Sequence, residues 1–254
     1  MKKTVEIRDI KFGEGRPKIC VPLIGKNNRE LMEEARALKS LKLDVVEWRI
    51  DHHEDVEDIY KMEEALKELR NELGETPLLV TFRSKKEGGE REVSVSYYAE
   101  LNKAMAATGM ADMIDVELFT GDEIVKEIVE FAHNKDVKVV MSNHDFFKTP
   151  TQEEIVNRLC KMQEMDADLP KIAVMPQSTE DVLTLLSATN EMVTKYADRP
   201  IITMSMAGMG VISRLAGEAF GSALTFGAAK AASAPGQIPV EKLAQVLDII
   251  HESL

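Results

Sequence analysis

From Ile19 to its C-terminus the chain repeats one rhythm: a short apolar run, a turn, then a stretch with apolar residues at helical spacing. The apolar runs are ICVPLIG, DVVEWRID, PLLVTFR, ADMIDVEL, KVVMSNHD, PKIAVMP, PIITMSM and SALTFG. Their length and content predict strands near 19–25, 44–51, 77–83, 111–118, 138–145, 170–176, 200–206 and 222–227. The segments between read as helices. In one, Ile155, Val156, Leu159, Cys160 and Met162 share a helical face; in the next, Val182, Leu185, Leu186, Met192 and Val193 do so. Residues 1–18 differ and read as a hairpin, TVEIRDI joined through Gly13 and Gly15 to the run from Arg16.

Eight strand–helix units define an α/β chain, most simply a (β/α)8 TIM barrel with an N-terminal β-hairpin extension. The length of 254 residues fits, since about 250 is typical of that barrel. A doubly wound open sheet is the rival and more often has five or six strands. No linker or low-complexity tract divides the chain, so residues 1–254 are expected to form one domain, with 1–18 as a hairpin cap and 19–254 as the barrel.

In a barrel, alternate strand residues point inward and chemistry gathers at the C-terminal ends of the strands. The second run then places Glu47, Arg49 and Asp51 on one face and Val46, Trp48 and Ile50 on the other. A surface buried under helices does not tolerate three charges, so the charged face is the inner one. The third run ends at Arg83, the fourth turns Asp115 and Glu117 inward, and the seventh brings Met204 and Met206 to the mouth.

Two inward residues carry chemistry. His144 ends the fifth run, and Lys171 shares a face of the sixth with small Ala173, which leaves room for its side chain to rise. A primary amine beside an imidazole can form an imine with a ketone and then move protons around it. An imidazole pKa near 6.5 suits a group that alternates between acid and base, and Glu87 or Asp115 could orient it. Plain readings stand beside these: Lys171 as a solvated residue at the barrel bottom, His144 as a satisfied core histidine. The charged second strand is harder to dismiss, because burying such charges unpaired costs several kcal/mol.

The remaining features narrow the field. The glycines of KEGGERE, residues 86–92, suit a mobile connection that carries Glu87 over the mouth, and SAPGQ, residues 233–237, reads as a turn after the eighth strand. His52-His53 invites a metal, but adjacent strand residues point to opposite faces and the segment reads as a solvated loop. The two cysteines, Cys20 and Cys160, have no disulfide or metal spacing. A net charge of −12 without a basic stripe argues against nucleic acid. No apolar run reaches the roughly 18 residues that span a membrane, and the first residues lack the apolar core of a signal peptide. A cytoplasmic protein is expected.

EWRIDH, TFRSKKEGGE, DMIDVELF, MSNHDFFKTP, PKIAVMPQ, PIITMSM, GVISRLAGEAFGS and ASAPGQI together resemble the type I 3-dehydroquinate dehydratases, over essentially the whole chain and in order. The resemblance implies a (β/α)8 homodimer, without metal or cofactor, that converts 3-dehydroquinate to 3-dehydroshikimate by syn elimination through a lysine imine. It makes Lys171 the imine lysine, His144 the proton-transfer group and Glu87 the carboxylate beside it. Substrate contacts would fall on Glu47, Arg49, Arg83, Arg214, Ser233 and Gln237. Pro22 on the first strand departs from the pattern. An anionic hydroxy-acid substrate would explain why an acidic protein gathers arginines at one pocket, since a guanidinium pairs a carboxylate at two points. Two other readings are a metal enzyme built on His52 and His53 and a hydroxy-acid binder without turnover.

Overall fold

A computed structural model describes residues 4–229 and 236–254. Ser233, and with it most of SAPGQ, lies outside the described residues. Two short strands, β1 (Val5–Ile7) and β2 (Ile10–Phe12), pair antiparallel. They precede the barrel strands β3 (Lys18–Leu23), β4 (Val45–Arg49), β5 (Leu78–Thr81), β6 (Met113–Glu117), β7 (Lys138–Asp145), β8 (Leu169–Val174), β9 (Ile202–Ser205) and β10 (Leu224–Ala228). These run parallel in sequence order from β3 to β9, with β10 against β3. The ring closes between β9 and β10 through a single bridge, Ile201 to Ser222, reinforced by the Ser222 hydroxyl, which accepts from the Thr203 N–H at 3.0 Å. All eight strands fall within a few residues of their expected positions.

The helices lie outside: α1 (Asn28–Leu38), α2 (Ile59–Leu73), α3 (Val95–Ala107), α4 (Asp122–His133), α5 (Gln152–Glu164) and α6 (Thr179–Glu191) follow β3 to β8 in turn. Their starts are written locally. Asn27, Asp58, Ser94, Thr151 and Ser178 each accept a first-turn N–H with the side chain. After β9 the connection is not one helix but two short ones, α7 (Val211–Leu215) and α8 (Gly217–Phe220). The last helix is α9 (Val240–Ser253), preceded by a two-residue strand β11 (Ile238–Pro239) that pairs with β10 and returns the chain to the barrel mouth.

Side-chain alternation divides the core in two. Val46, Trp48, Ile50, Ile114, Val116, Ile172 and Val174 pack outward under the helices. Cys20, Val45, Leu79, Met113, Val140 and Leu169 fill the inside, where they meet Ile7 and Phe12 of the hairpin. The hairpin thus plugs the barrel bottom, and burying an Ile or Phe side chain stabilises by about 1.5–3 kcal/mol. Arg8 fastens it, donating to Asp112 at 2.7 Å. The hairpin turn lies at Arg8, which has φ of 51°, and not at Gly13 and Gly15 as the sequence suggested; the glycines serve the link onward to β3. The lower barrel is therefore apolar and closed, which leaves the mouth for chemistry.

Candidate active site

Above the apolar floor, the inner face of the barrel turns polar. Glu47 and Arg49 from β4, Arg83 after β5, His144 on β7 and Lys171 on β8 line one pocket. Glu87 lines it from a loop, Arg214 from α7 and Gln237 from just before β11. Met204, Met206, Phe146 and Phe226 supply its apolar wall. Every described residue that the sequence assigned to the site is there. Pro22 is buried in β3 in register with Glu47 and is not among the lining residues.

Lys171 is buried, not at the solvated end of its strand. Its Nζ lies 3.5 Å from Oδ2 of Asp115 and 4.7 Å from the centre of the Phe226 ring, so a carboxylate and a π face hold the amine. Asp115 is shared: its Oδ2 is 2.7 Å from Nη2 of Arg83, and its Oδ1 accepts from the Ser142 hydroxyl at 2.6 Å. Burial alone would raise the Asp115 pKa, but Arg83, Lys171 and the Ser142 hydrogen bond outweigh it and hold the carboxyl below its usual range.

His144 is oriented by Glu87, not by Asp115. Its Nδ1 is 3.0 Å from Glu87 Oε2, and its backbone N–H donates to the same oxygen at 2.9 Å. Asn143 Nδ2 donates to Glu87 Oε1 at 3.1 Å. The imidazole does not keep the ordinary pKa expected from sequence. Burial, then the cations Arg83, Lys171 and Arg49, push it well below 6.5. Burial and the nearby Glu117 push the Glu87 carboxyl up to about 7, against the pull of Arg83 and its hydrogen bonds. Both shifts favour uncharged forms, so at neutral pH the pair is poised around a single proton. With that proton gone, Glu87 accepts Nδ1–H and leaves Nε2 with a free lone pair.

The loop that delivers Glu87 is hydrogen-bonded to Asp51, just past the end of β4. Asp51 accepts from the N–H groups of Arg83 at 3.3 Å and Glu90 at 3.1 Å. Its glycines permit close approach. A Cβ on Gly88, at φ of 86°, would meet the Phe146 ring at 2.3 Å, and one on Gly89 would meet the Arg83 carbonyl at 1.9 Å.

The arginines fall into two kinds. Arg49 pairs with Asp51 through two hydrogen bonds of 2.8 Å. Arg83 donates to Glu117 at 2.8 Å and to Ser142 at 2.9 Å, so much of its capacity is used inside the barrel wall. Arg214 is 1% exposed, and burial pushes its pKa down to about 10, still far enough above neutrality to keep it charged. Glu47 accepts from Thr81 at 2.9 Å. Sequence reasoning assigned no role to Asp51, Glu117, Ser142 or Asn143; the first three signalled only through inward alternation, and Asn143 gave no signal because its strand position faces outward.

His52-His53 is not a solvated loop. His53 is fully buried; its Nδ1 accepts from the Asp55 N–H at 3.2 Å and its Nε2 meets Oδ1 of Asn28 at 3.0 Å. Both ring nitrogens are engaged, and the described residues include no group of three or more His, Cys, Asp or Glu arranged to hold a metal.

The family model for type I 3-dehydroquinase matches residues 19–254. A 3-dehydroquinate dehydratase of Clostridioides difficile is 62% identical over the whole of both chains, and one of Bacillus licheniformis is 61% identical, also end to end. Among solved structures, the type I 3-dehydroquinate dehydratase of Clostridium difficile, which carries covalently modified comenic acid, superposes with a TM-score of 0.98 over 100% of each chain at 62% identity. The 3-dehydroquinate dehydratase of Enterococcus faecalis gives 0.91 at 44% identity, over 96% of this chain and 98% of that one. The chain belongs to the type I 3-dehydroquinase family.

Proposed function

We propose that this chain, a 3-dehydroquinate dehydratase serving the dehydration step of the shikimate pathway, works through an imine on Lys171. His144 moves the protons and Glu87 orients it. One observation carries this reading: a buried amine and an imidazole backed by a carboxylate stand on adjacent strands and face the same pocket.

The Lys171 amine adds to the substrate ketone to give a carbinolamine, and water leaves to form a protonated imine. That cation withdraws electrons from the neighbouring C–H bond. His144 Nε2, free because Nδ1 is held by Glu87, takes the proton, and the bonding pair moves in to make an enamine. The enamine pair then drives out the hydroxyl one carbon further on, which takes the proton back from His144 and leaves as water. Hydrolysis of the remaining imine releases the conjugated enone and restores the amine. Asp115, 3.5 Å from Nζ, offsets the positive charge that nitrogen carries in the protonated imines before and after the neutral enamine.

For the substrate, Arg214 with Gln237 holds the carboxylate, Glu47 and Arg49 meet ring hydroxyls, and Arg83 and Ser233 add the remaining contacts. The reading includes a cytoplasmic homodimer that works without metal or cofactor. Incubated with 3-dehydroquinate, the chain should generate the ultraviolet absorbance of a conjugated enone, and Lys171→Ala should not. Turnover by Lys171→Ala at the wild-type rate would sink the proposal, and absence of turnover in both would favour a binder instead.

A further inference from the structure

We propose that Arg158, on the outer helix α5, is a positioning residue for the His144–Glu87 pair and acts through the amide of Asn143. Arg158 reaches across the outside of β7, where its Nη1 donates to Oδ1 of Asn143 at 2.8 Å. A guanidinium has donors only, so the Asn143 atom that meets it must be the carbonyl oxygen. The amide nitrogen is thereby turned the other way, and Nδ2 donates to Oε1 of Glu87 at 3.1 Å. Flipping the amide would set donor against donor at Arg158 and acceptor against acceptor at Glu87. Arg158 is itself held: its Nε donates to Glu154 at 2.7 Å, and its guanidinium lies 5.4 Å from the centre of the Phe119 ring. Neither Arg158 nor Asn143 lines the pocket, yet together they decide which atom Glu87 meets on its outer side.

The consequence is chemical and rests on the reading that His144 and Glu87 move the protons. Glu87 is faced by Arg83 from the end of β5, Glu117 from the end of β6 and His144 from β7. Burial and Glu117 oppose its ionised form, whereas the Asn143 amide and the His144 backbone N–H favour it. A donor fixed on Oε1 therefore helps to keep Glu87 a carboxylate and His144 a base at neutral pH. Without it the pair should hold its proton to higher pH.

The test follows the His144 ring by NMR across pH in the free enzyme, and kcat/KM across the same range. In Arg158→Met both titrations should move up by about one pH unit, a tenfold change in proton affinity, with activity recovering at high pH. Arg158→Lys keeps a donor toward Oδ1 and should restore most of the wild-type profile. Asn143→Ala should give the same upward shift by itself, and adding Arg158→Met to it should add nothing. An unshifted ring titration in Arg158→Met, or a full second shift in the double variant, overturns the proposal. Should Arg158→Met not fold, an unshifted titration in Asn143→Ala overturns it. A ring titration that moves while the rate profile stays fixed upholds the placement of Arg158 and removes the pair from proton transfer.

Discussion

The amine of Lys171 and the carboxylate of Asp115 lie 3.5 Å apart inside the barrel, and the same carboxylate is 2.7 Å from Arg83. One buried anion thus answers two buried cations. Asp115→Asn takes the carboxylate from Lys171 and leaves Arg83 with Glu117 and Glu87, and breaking a buried pair by removing one partner costs about 3–5 kcal/mol. The variant should melt roughly 6–20 °C lower, at about 2–4 °C per kcal/mol for a chain of this size. A melting temperature within 2 °C of the wild type would show that the anion is not needed there.

The Glu87 carboxyl, pushed up to about 7 by burial and Glu117, binds its proton more tightly folded than unfolded, where about 4.3 is ordinary. Its contribution to stability is full below that lower value, declines as the pH rises and is gone above about 7. Glu87→Gln removes the ionisation, so at pH 8 it should be more stable than the wild type, by about 1–3 kcal/mol, while at pH 4 the two converge. Activity should move the other way, falling about 10²-fold or more with the orienting carboxylate lost. Denaturant unfolding at both pH values checks the first part. Equal stability differences at pH 4 and 8 would contradict it.

The two opposed shifts also set the rate profile of the wild type. A pair holding one proton lacks the free base, so kcat/KM should fall as the pH drops through about 7, the value to which Glu87 is raised. A profile flat from pH 5 to 8 would count against the pair.

His144→Ala removes the proton carrier but leaves the nucleophile. Loss of a general acid–base group costs about 10²–10⁴-fold in rate, yet Lys171 can still add slowly to the ketone. The variant should accumulate a covalent imine that intact-protein mass spectrometry detects with substrate present. Near-normal turnover would exclude His144 from the mechanism.

Arg214→Ala should weaken carboxylate-bearing ligands by roughly 1.5–3 kcal/mol, the worth of a charged hydrogen bond, and spare neutral analogues. Equal losses for both, measured by calorimetry, would place the carboxylate elsewhere.

Much of this was legible in the chain because the barrel's period-two alternation separates charged from apolar positions so sharply. Glu47 and Arg49 against Val46 and Trp48 gave the inner and outer faces of β4 from sequence alone, whereas Ile50 and Asp51 lie past the strand in a 3-10 turn. What alternation cannot give is partnership across loops. Nothing in KEGGE says that Asp51 will fasten it, or that its glycines admit Phe146 and the Arg83 carbonyl. The pKa of His144 depends on cations from three other strands or strand ends, so local sequence left it at its ordinary value. His53 read as part of a solvated loop; its ring instead packs edge-on to Trp48 and bonds Asn28 at the start of α1, 25 residues away.

Borohydride tests the covalent bond to Lys171 most directly. Wild-type chain treated with 3-dehydroquinate and sodium borohydride should lose activity irreversibly, gain the mass of one reduced adduct and carry it on the peptide containing Lys171; Lys171→Ala, folded and treated alike, should gain none. An adduct on another lysine, or full turnover with no trapped species at any substrate concentration, would contradict the imine mechanism.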